Sequence, residues 1–176
     1  GDIALDGSTG VAIDQVVTST AGGVSLKSTG GGVTIGATTV LTVPDVVNGT
    51  IDVAAGGACT LGINLVAGNN ITVSTGPSFS PTTNFTSATG NVSISVTSGA
   101  LLDVTGSTIT ALGAGGGDVT LKSVVGGLKV DMARVLAAGD ITLTDATGLV
   151  ALPGPLAIGG NLFVTTGGGW TPTGAF

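Results

Sequence analysis

The stretch "GGVSLKSTGGGVTI" (22–35) returns ninety-five residues later as "GDVTLKSVVGGLKV" (117–130). The two segments align without a gap from Gly22/Gly117 through Leu41/Leu136, and nine of those twenty positions are identical. Leu26/Leu121, Lys27/Lys122 and the pair Gly31-Gly32/Gly126-Gly127 are among them. A looser form of the phrase recurs throughout the chain: Gly, then Asx or a small residue, then apolar, small or polar, apolar. It fits "GDIAL" (1–5), "GGVSL" (22–26), "GTIDV" (49–53), "NNITV" (69–73), "GNVSI" (90–94), "GDVTL" (117–121), "GDITL" (139–143) and "GNLFV" (160–164).

The first apolar positions are Ile3, Val24, Ile51, Ile71, Val92, Val119, Ile141 and Leu162, with spacings of 21, 27, 20, 21, 27, 22 and 21. A period near 21 with two six-residue insertions is the signature of a solenoid. Further apolar patches follow within most repeats, at 11–13, 33–35, 61–63, 128–130 and 149–152, and again at Val16-Val17, Leu41–Val43, Leu65-Val66, Val135-Leu136 and Leu156–Ile158. Three short strands and three turns per repeat describe a triangular coil. The expected fold is all-β, a right-handed parallel β-helix of about eight three-sided coils in one domain, 1–176. Alternation sends two aliphatic columns inward. One begins at Ile3 and the other runs Leu5, Leu26, Val53, Val73, Ile94, Leu121, Leu143, Val164. The segment 74–90, "STGPSFSPTTNFTSATG", lacks a clear second strand and is expected to form an irregular loop that leaves the regular coil, with Phe79 and Phe85 packing it back onto the rod or, as the alternative, presenting a contact surface.

Composition agrees. Of 176 residues, 33 are glycine, 8% are charged, and there is no histidine, tyrosine or glutamate. β-Branched residues abound where helix formers are scarce. No apolar run approaches the ~18 residues of a membrane-spanning helix. A net charge of −6 with four basic residues argues against a nucleic-acid partner. Cys59 is the single cysteine, so no internal disulfide forms. The chain opens on Gly1-Asp2, already in template, which reads as a processed chain or a piece of a longer one.

The G-[DN]-[IV]-x-[LV] repeat, rich in Thr, Val, Gly and Asn, resembles the shaft repeats of filamentous haemagglutinin-like exoproteins, large bacterial adhesins exported by two-partner secretion. The Asn-Pro-Asn-type motif of that family's secretion domain does not occur here. The resemblance implies shaft material of a fibre or adhesin, extracellular or on the bacterial cell surface, with no particular receptor and no catalytic residues to carry over; host or surface glycans are the external partners such material is expected to meet.

Other chemistries were weighed against this structural reading. A polysaccharide-active β-helix enzyme needs clustered carboxylates. The best pair is Asp118 and Asp140, at one template position in neighbouring repeats, with Asp131 and Asp145 nearby in sequence. Their register is also that of the corner residues Asn91 and Asn161, and this explains them without catalysis. The same two aspartates are the only weak metal candidates. "GAGGGDVTL" (113–121) approaches a calcium-binding nonapeptide once, with Thr120 where an apolar residue belongs. Ice or carbohydrate binding would use the outward column Ala4, Ser25, Asp52, Thr72, Ser93, Thr120, Thr142, Phe163, whose regularity Asp52, Lys27 and Lys122 interrupt. Of four N-x-[ST] sequons, at Asn48, Asn70, Asn84 and Asn91, Asn84 in the expected loop is the candidate glycan acceptor. No cofactor is expected.

The ends complete the reading. Neither shows a polar cap or an amphipathic helix, and the C-terminal end 163–176 holds Phe163, Trp170 and Phe176. These aromatics, with Ile3 and Leu5 at the opposite end, are expected to form an axial interface for end-to-end self-association; the alternative is that Trp170 and Phe176 fold over the last coil as a plug.

Overall fold

The computed structural model of the protein describes residues 1–98, 101–114, 116–148, 150–152 and 157–172. It is a parallel β-solenoid. Its first face is one eight-stranded sheet made of Ile3–Gly7, Val24–Ser28, Ile51–Ala55, Ile71–Thr75, Val92–Val96, Val119–Ser123, Ile141–Asp145 and Leu162–Thr166, in that spatial order. These strands start coils 1 to 8. Eight strands bracket seven coil-to-coil steps, so the rod has about seven full turns, roughly 34 Å at ~4.8 Å per step. Every pairing is parallel, and the register runs Ile3, Val24, Ile51, Ile71, Val92, Val119, Ile141, Leu162. This is the column read from the repeat.

Alternation decides what is buried. In coils 2 to 7 both inward columns are sealed: Val24, Leu26, Ile51, Val53, Ile71, Val73, Val92, Ile94, Val119, Leu121, Ile141 and Leu143 are each at most 1% exposed. The outermost strands are paired on one side only among the described residues; Leu5 is 39% exposed and Leu162 and Val164 are partly buried. Burying a large aliphatic side chain contributes about 1.5–3 kcal/mol, and these stacks form the core.

The second face carries the strands Gly10–Ile13, Gly32–Ile35 and Cys59–Leu61, then Leu102–Asp103, Leu128–Lys129, Val150–Leu152 and Trp170–Pro172. The third face carries Val17–Thr18 and Leu41–Thr42, then Leu65–Ala67, Phe85–Ser87, Ile109–Ala111, Val135–Ala137 and Ala157–Ile158, joined by a bridge from Val43 to Ala67. A 3-10 turn, Met132–Arg134, sits between the second and third faces of coil 6 and turns Met132 into the core.

The segment 74–90 packs its two phenylalanines onto the rod as expected, but its irregular part is shorter than expected. Ser74 and Thr75 end a first-face strand, and Phe85–Ser87 is a third-face strand. Between them the chain stays on the coil path: Phe79 bridges Leu102, its N–H donating to the Leu101 carbonyl and its carbonyl accepting from Asp103. Phe79 and Phe85 are 3% and 0% exposed. The irregular backbone is therefore shorter than expected and is held in the wall by two inward aromatics.

The gapless match of 22–41 to 117–136 also fails at its end. Val43 pairs with Ala67, and that column continues through Ser87 and Ala111 to Ala137. Leu41 is thus equivalent to Val135, not Leu136. Leu41 and Val135 are buried, whereas Val40 and Leu136 are about half exposed. A one-residue slip in a strand exchanges inside for outside.

The repeated glycine pair serves two different needs. Gly126 and Gly127 have φ of 100° and 126°, a region that glycine enters without a Cβ clash. Gly31 has no such angle, but a Cβ there would stand 1.6 Å from the Thr9 carbonyl oxygen of the preceding coil.

Candidate functional site

The residues expected to carry chemistry are dispersed along the rod. Asp118 and Asp140 do stack in adjacent coils, but each is engaged as a corner residue: Asp118 Oδ1 accepts from the Asp140 N–H (2.8 Å), and Asp140 Oδ1 accepts from the Asn161 N–H (2.7 Å) and its Nδ2 (3.2 Å). Asp131 lies at another corner, capping the 3-10 turn through the Ala133 N–H and pairing with Arg134 at 3.4 Å. Asp145 lies at the opposite end of its strand from Asp140 and is fully buried. The four carboxylates do not converge. Among the described residues no group of three or more His, Cys, Asp or Glu side chains is placed to hold a metal ion.

What the corners form instead is a ladder of side-chain to backbone bonds. Asn70 Oδ1 accepts from the Asn91 N–H, Asn91 Oδ1 from Asp118, Asp118 Oδ1 from Asp140, and Asp140 Oδ1 from Asn161, all at 2.7–2.8 Å. Asp2 Oδ1 accepts likewise from Gly23. On the third-face corner Asn64 accepts from Asn84, and Asn84 from Thr108. In all seven bonds the acceptor is an Asx side chain and the donor is the equivalent backbone N–H one coil later. Each satisfies a corner N–H that the sheets leave unpaired.

Asn84 ends the irregular stretch just before the Phe85–Ser87 strand and is a partly buried ladder member there. Of the four sequons, Asn48 is the one on an exposed turn, where Asp45 Oδ1 accepts from the Val47 and Asn48 N–H groups. Those bonds, Val47 first, hold the Asp45 carboxyl below its usual range. The turn presents exposed Val46 and Val47 and is tied down by Thr89 and Asn69, which donate to their carbonyls.

Sequence reasoning did not single out Asp145 as a buried group. Its Oδ1 accepts from the Thr147 and Gly148 N–H groups, while its Oδ2 has no partner among the described residues. In register, its neighbours are Ser123 and Thr166. The usable signal was its place two residues after Leu143, which alternation sends inward. Cys59 is half-buried, and burial pushes its thiol up to about 12. Such a group stays protonated at neutral pH and is a poor nucleophile.

The axial residues fall at opposite ends. Ile3 is partly buried and Leu5 is 39% exposed in the first strand; Phe163 is 50% exposed in the last. Trp170 opens the last second-face strand, opposite Val150; its side chain, and all of Phe176, lie outside the described part. No helix among the described residues is long and apolar enough to cross a membrane.

No protein-family model, curated protein or solved structure matches this chain. The likeness to haemagglutinin-type shafts is thus one of repeat pattern and of β-solenoid architecture.

Proposed function

We propose that this chain is a structural rod, a segment of a fibre or adhesin on the outside of a bacterial cell, and that copies associate end to end into filaments. One observation carries this reading. The first-face sheet runs unbroken through eight strands, and its two outermost strands, Ile3–Gly7 and Leu162–Thr166, each keep an edge with no partner strand among the described residues. Unpaired edges are templates for further strands, and a heterologous contact that does not close on itself grows. Exposed Leu5 and Phe163 stand at those edges, as contact surfaces do. The chain has no enzymatic role in this reading, and surface glycans are its external partners.

Sedimentation velocity and negative-stain microscopy over a range of concentrations test it. Short rods should lengthen as concentration rises. Deleting 163–176, or changing Trp170→Asp, should leave single rods. A chain that sediments as a monomer at high concentration would refute the filament. Turnover on a panel of polysaccharides, lost in Asp118→Asn or Asp140→Asn, would replace the structural reading with an enzymatic one.

A further inference from the structure

The third face differs from the first in what it shows to solvent. Outward positions of the first face are mostly Ser and Thr. On the third face and along its corner with the first, Val40, Val46, Val47, Val66, Leu112 and Leu136 are 46–69% exposed. These are six of the ten large hydrophobic side chains exposed among the described residues, and all lie in coils 2 to 6. Apolar surface gathered on one side of a protein marks an interaction site.

The order of residues along this face says what fits it. Its central outward column reads Thr42, Val66, Thr86, Thr110 and Leu136, one residue per coil from coil 2 to coil 6. Val66 and Leu136 flank two threonines, so the pattern reads alike in both directions. A second copy can be laid face to face, its rod axis reversed and its strands running the same way. Val66 then covers Leu136 of the other copy and Thr86 covers Thr110, and each pairing occurs twice. That is the self-complementarity of an isologous two-fold contact. Two residues further along each strand come Gly68, Ala88, Leu112 and Ala138. Leu112 is the only large side chain of the four, and in this arrangement it lies over Ala88 of the other copy. On the opposite margin Arg134 meets Asn64 of the other copy, whose amide oxygen is an acceptor.

The corners interlock in the same register. In coil 2, Ile51 follows Val43 by eight residues, and in coil 5, Val119 follows Ala111 by eight. In coils 3, 4, 6 and 7 the equivalent step, from Ala67 to Ile71, Ser87 to Val92, Ala137 to Ile141 and Ile158 to Leu162, is four or five residues. Reversal places coil 2 opposite coil 7 and coil 5 opposite coil 4, so each long corner meets a short one. Sliding the second copy by one coil would set Val66 on Thr110 and lose the apolar pairs. Sliding it by two would set coil 2 opposite coil 5, long corner against long. Coils 2 to 7 offer a contact of roughly 29 Å by 17 Å, about 500 Å² per copy and ~1,000 Å² in all, at the lower bound for a specific interface. The association is therefore weak and depends on concentration.

We propose that the third face is a lateral docking surface for a second copy of this chain, lying antiparallel so that coil 3 of each copy covers coil 6 of the other. The proposal is independent of the end-to-end reading, since it uses only the side of the rod.

Charge exchange across the contact tests it, by sedimentation velocity and negative-stain microscopy. The parent at high concentration should show a species of twice the monomer mass that is wider than a single rod and no longer than one. Val66→Lys and Leu136→Glu change exposed positions, so each should keep the parent's circular dichroism spectrum while losing that species. Mixed in equal amounts, or combined in one chain, the two substitutions should restore it, because the new charges then face each other. Val66→Lys combined with Thr110→Glu should not. Failure of the matched pair to restore the species, or restoration by the Thr110 pair instead, overturns the antiparallel register. A parent that shows no widened species at any concentration, or one that both single variants leave intact, overturns the lateral contact itself. Lengthening of single rods with concentration reports on end-to-end assembly alone, so the two ideas fail separately.

Discussion

Ile94→Ala and Leu5→Ala remove similar atoms from one template column, and the structure assigns them very different consequences. Ile94 is 0% exposed, in coil 5, with Val73 and Leu121 in register on either side. Truncation deletes three carbons' worth of apolar contact, about 2.4 kcal/mol at ~0.8 kcal/mol per CH2. A cavity walled by neighbouring coils cannot collapse freely, and this raises the total to about 3–4 kcal/mol. Leu5 holds the same position in coil 1, is 39% exposed and is covered by a described strand on one side only. Part of its transfer energy was never gained, and water fills the space left behind, so its truncation costs about 1 kcal/mol. The assay is urea denaturation followed by far-UV circular dichroism, at a concentration where the parent is monomeric. A midpoint shift at least twice as large for Ile94→Ala is expected. Equal shifts would refute the argument that position along the rod, rather than place in the template, sets burial.

Three other outcomes follow from the same geometry. Gly31→Ala should destabilise strongly, because its Cβ would meet the Thr9 carbonyl oxygen at 1.6 Å, while Gly10→Ala, with its nearest contact at 3.5 Å, should be neutral or stabilising by about 0.4–1 kcal/mol in thermal melts. Asp118→Asn keeps an Oδ1 for the Asp140 N–H and should leave the melting temperature unchanged, whereas Asp118→Leu strands that donor and should cost about 1 kcal/mol. Cys59 should resist alkylation in the folded protein. Its thiol is raised to about 12 by burial, so folding binds its proton more tightly than the unfolded chain does. The resulting stability is whole below the unfolded thiol's pKa of about 8.5, and it is lost as pH rises from there through the folded value. Cys59→Ala should flatten that alkaline decline in denaturation midpoints.

The first face was legible in the sequence because its information is local. Five-residue strands alternate inside and outside with period two, and a Gly-Asx corner marks five of the eight starts, so the columns from Ile3 to Leu162 and from Leu5 to Val164 stand in register as spelled. The turns between faces are not local in this sense. Their lengths vary by up to several residues from coil to coil, and only packing against the coils above and below decides which neighbour points inward. That is why Leu41 matches Val135 and not Leu136, and why Phe79 and Phe85 became wall residues of an otherwise irregular segment. The sequence likewise marked Asn84, Asp118 and Asp140 as noteworthy polar residues, as acceptor or acid. Their partners are backbone N–H groups 21–24 residues away, brought within hydrogen-bonding distance only when one coil closes upon the next. The type of side chain that suits a corner was written locally, but the bond it makes, the direction of the ladder and the burial of Asp145 were set by the stacking of the coils.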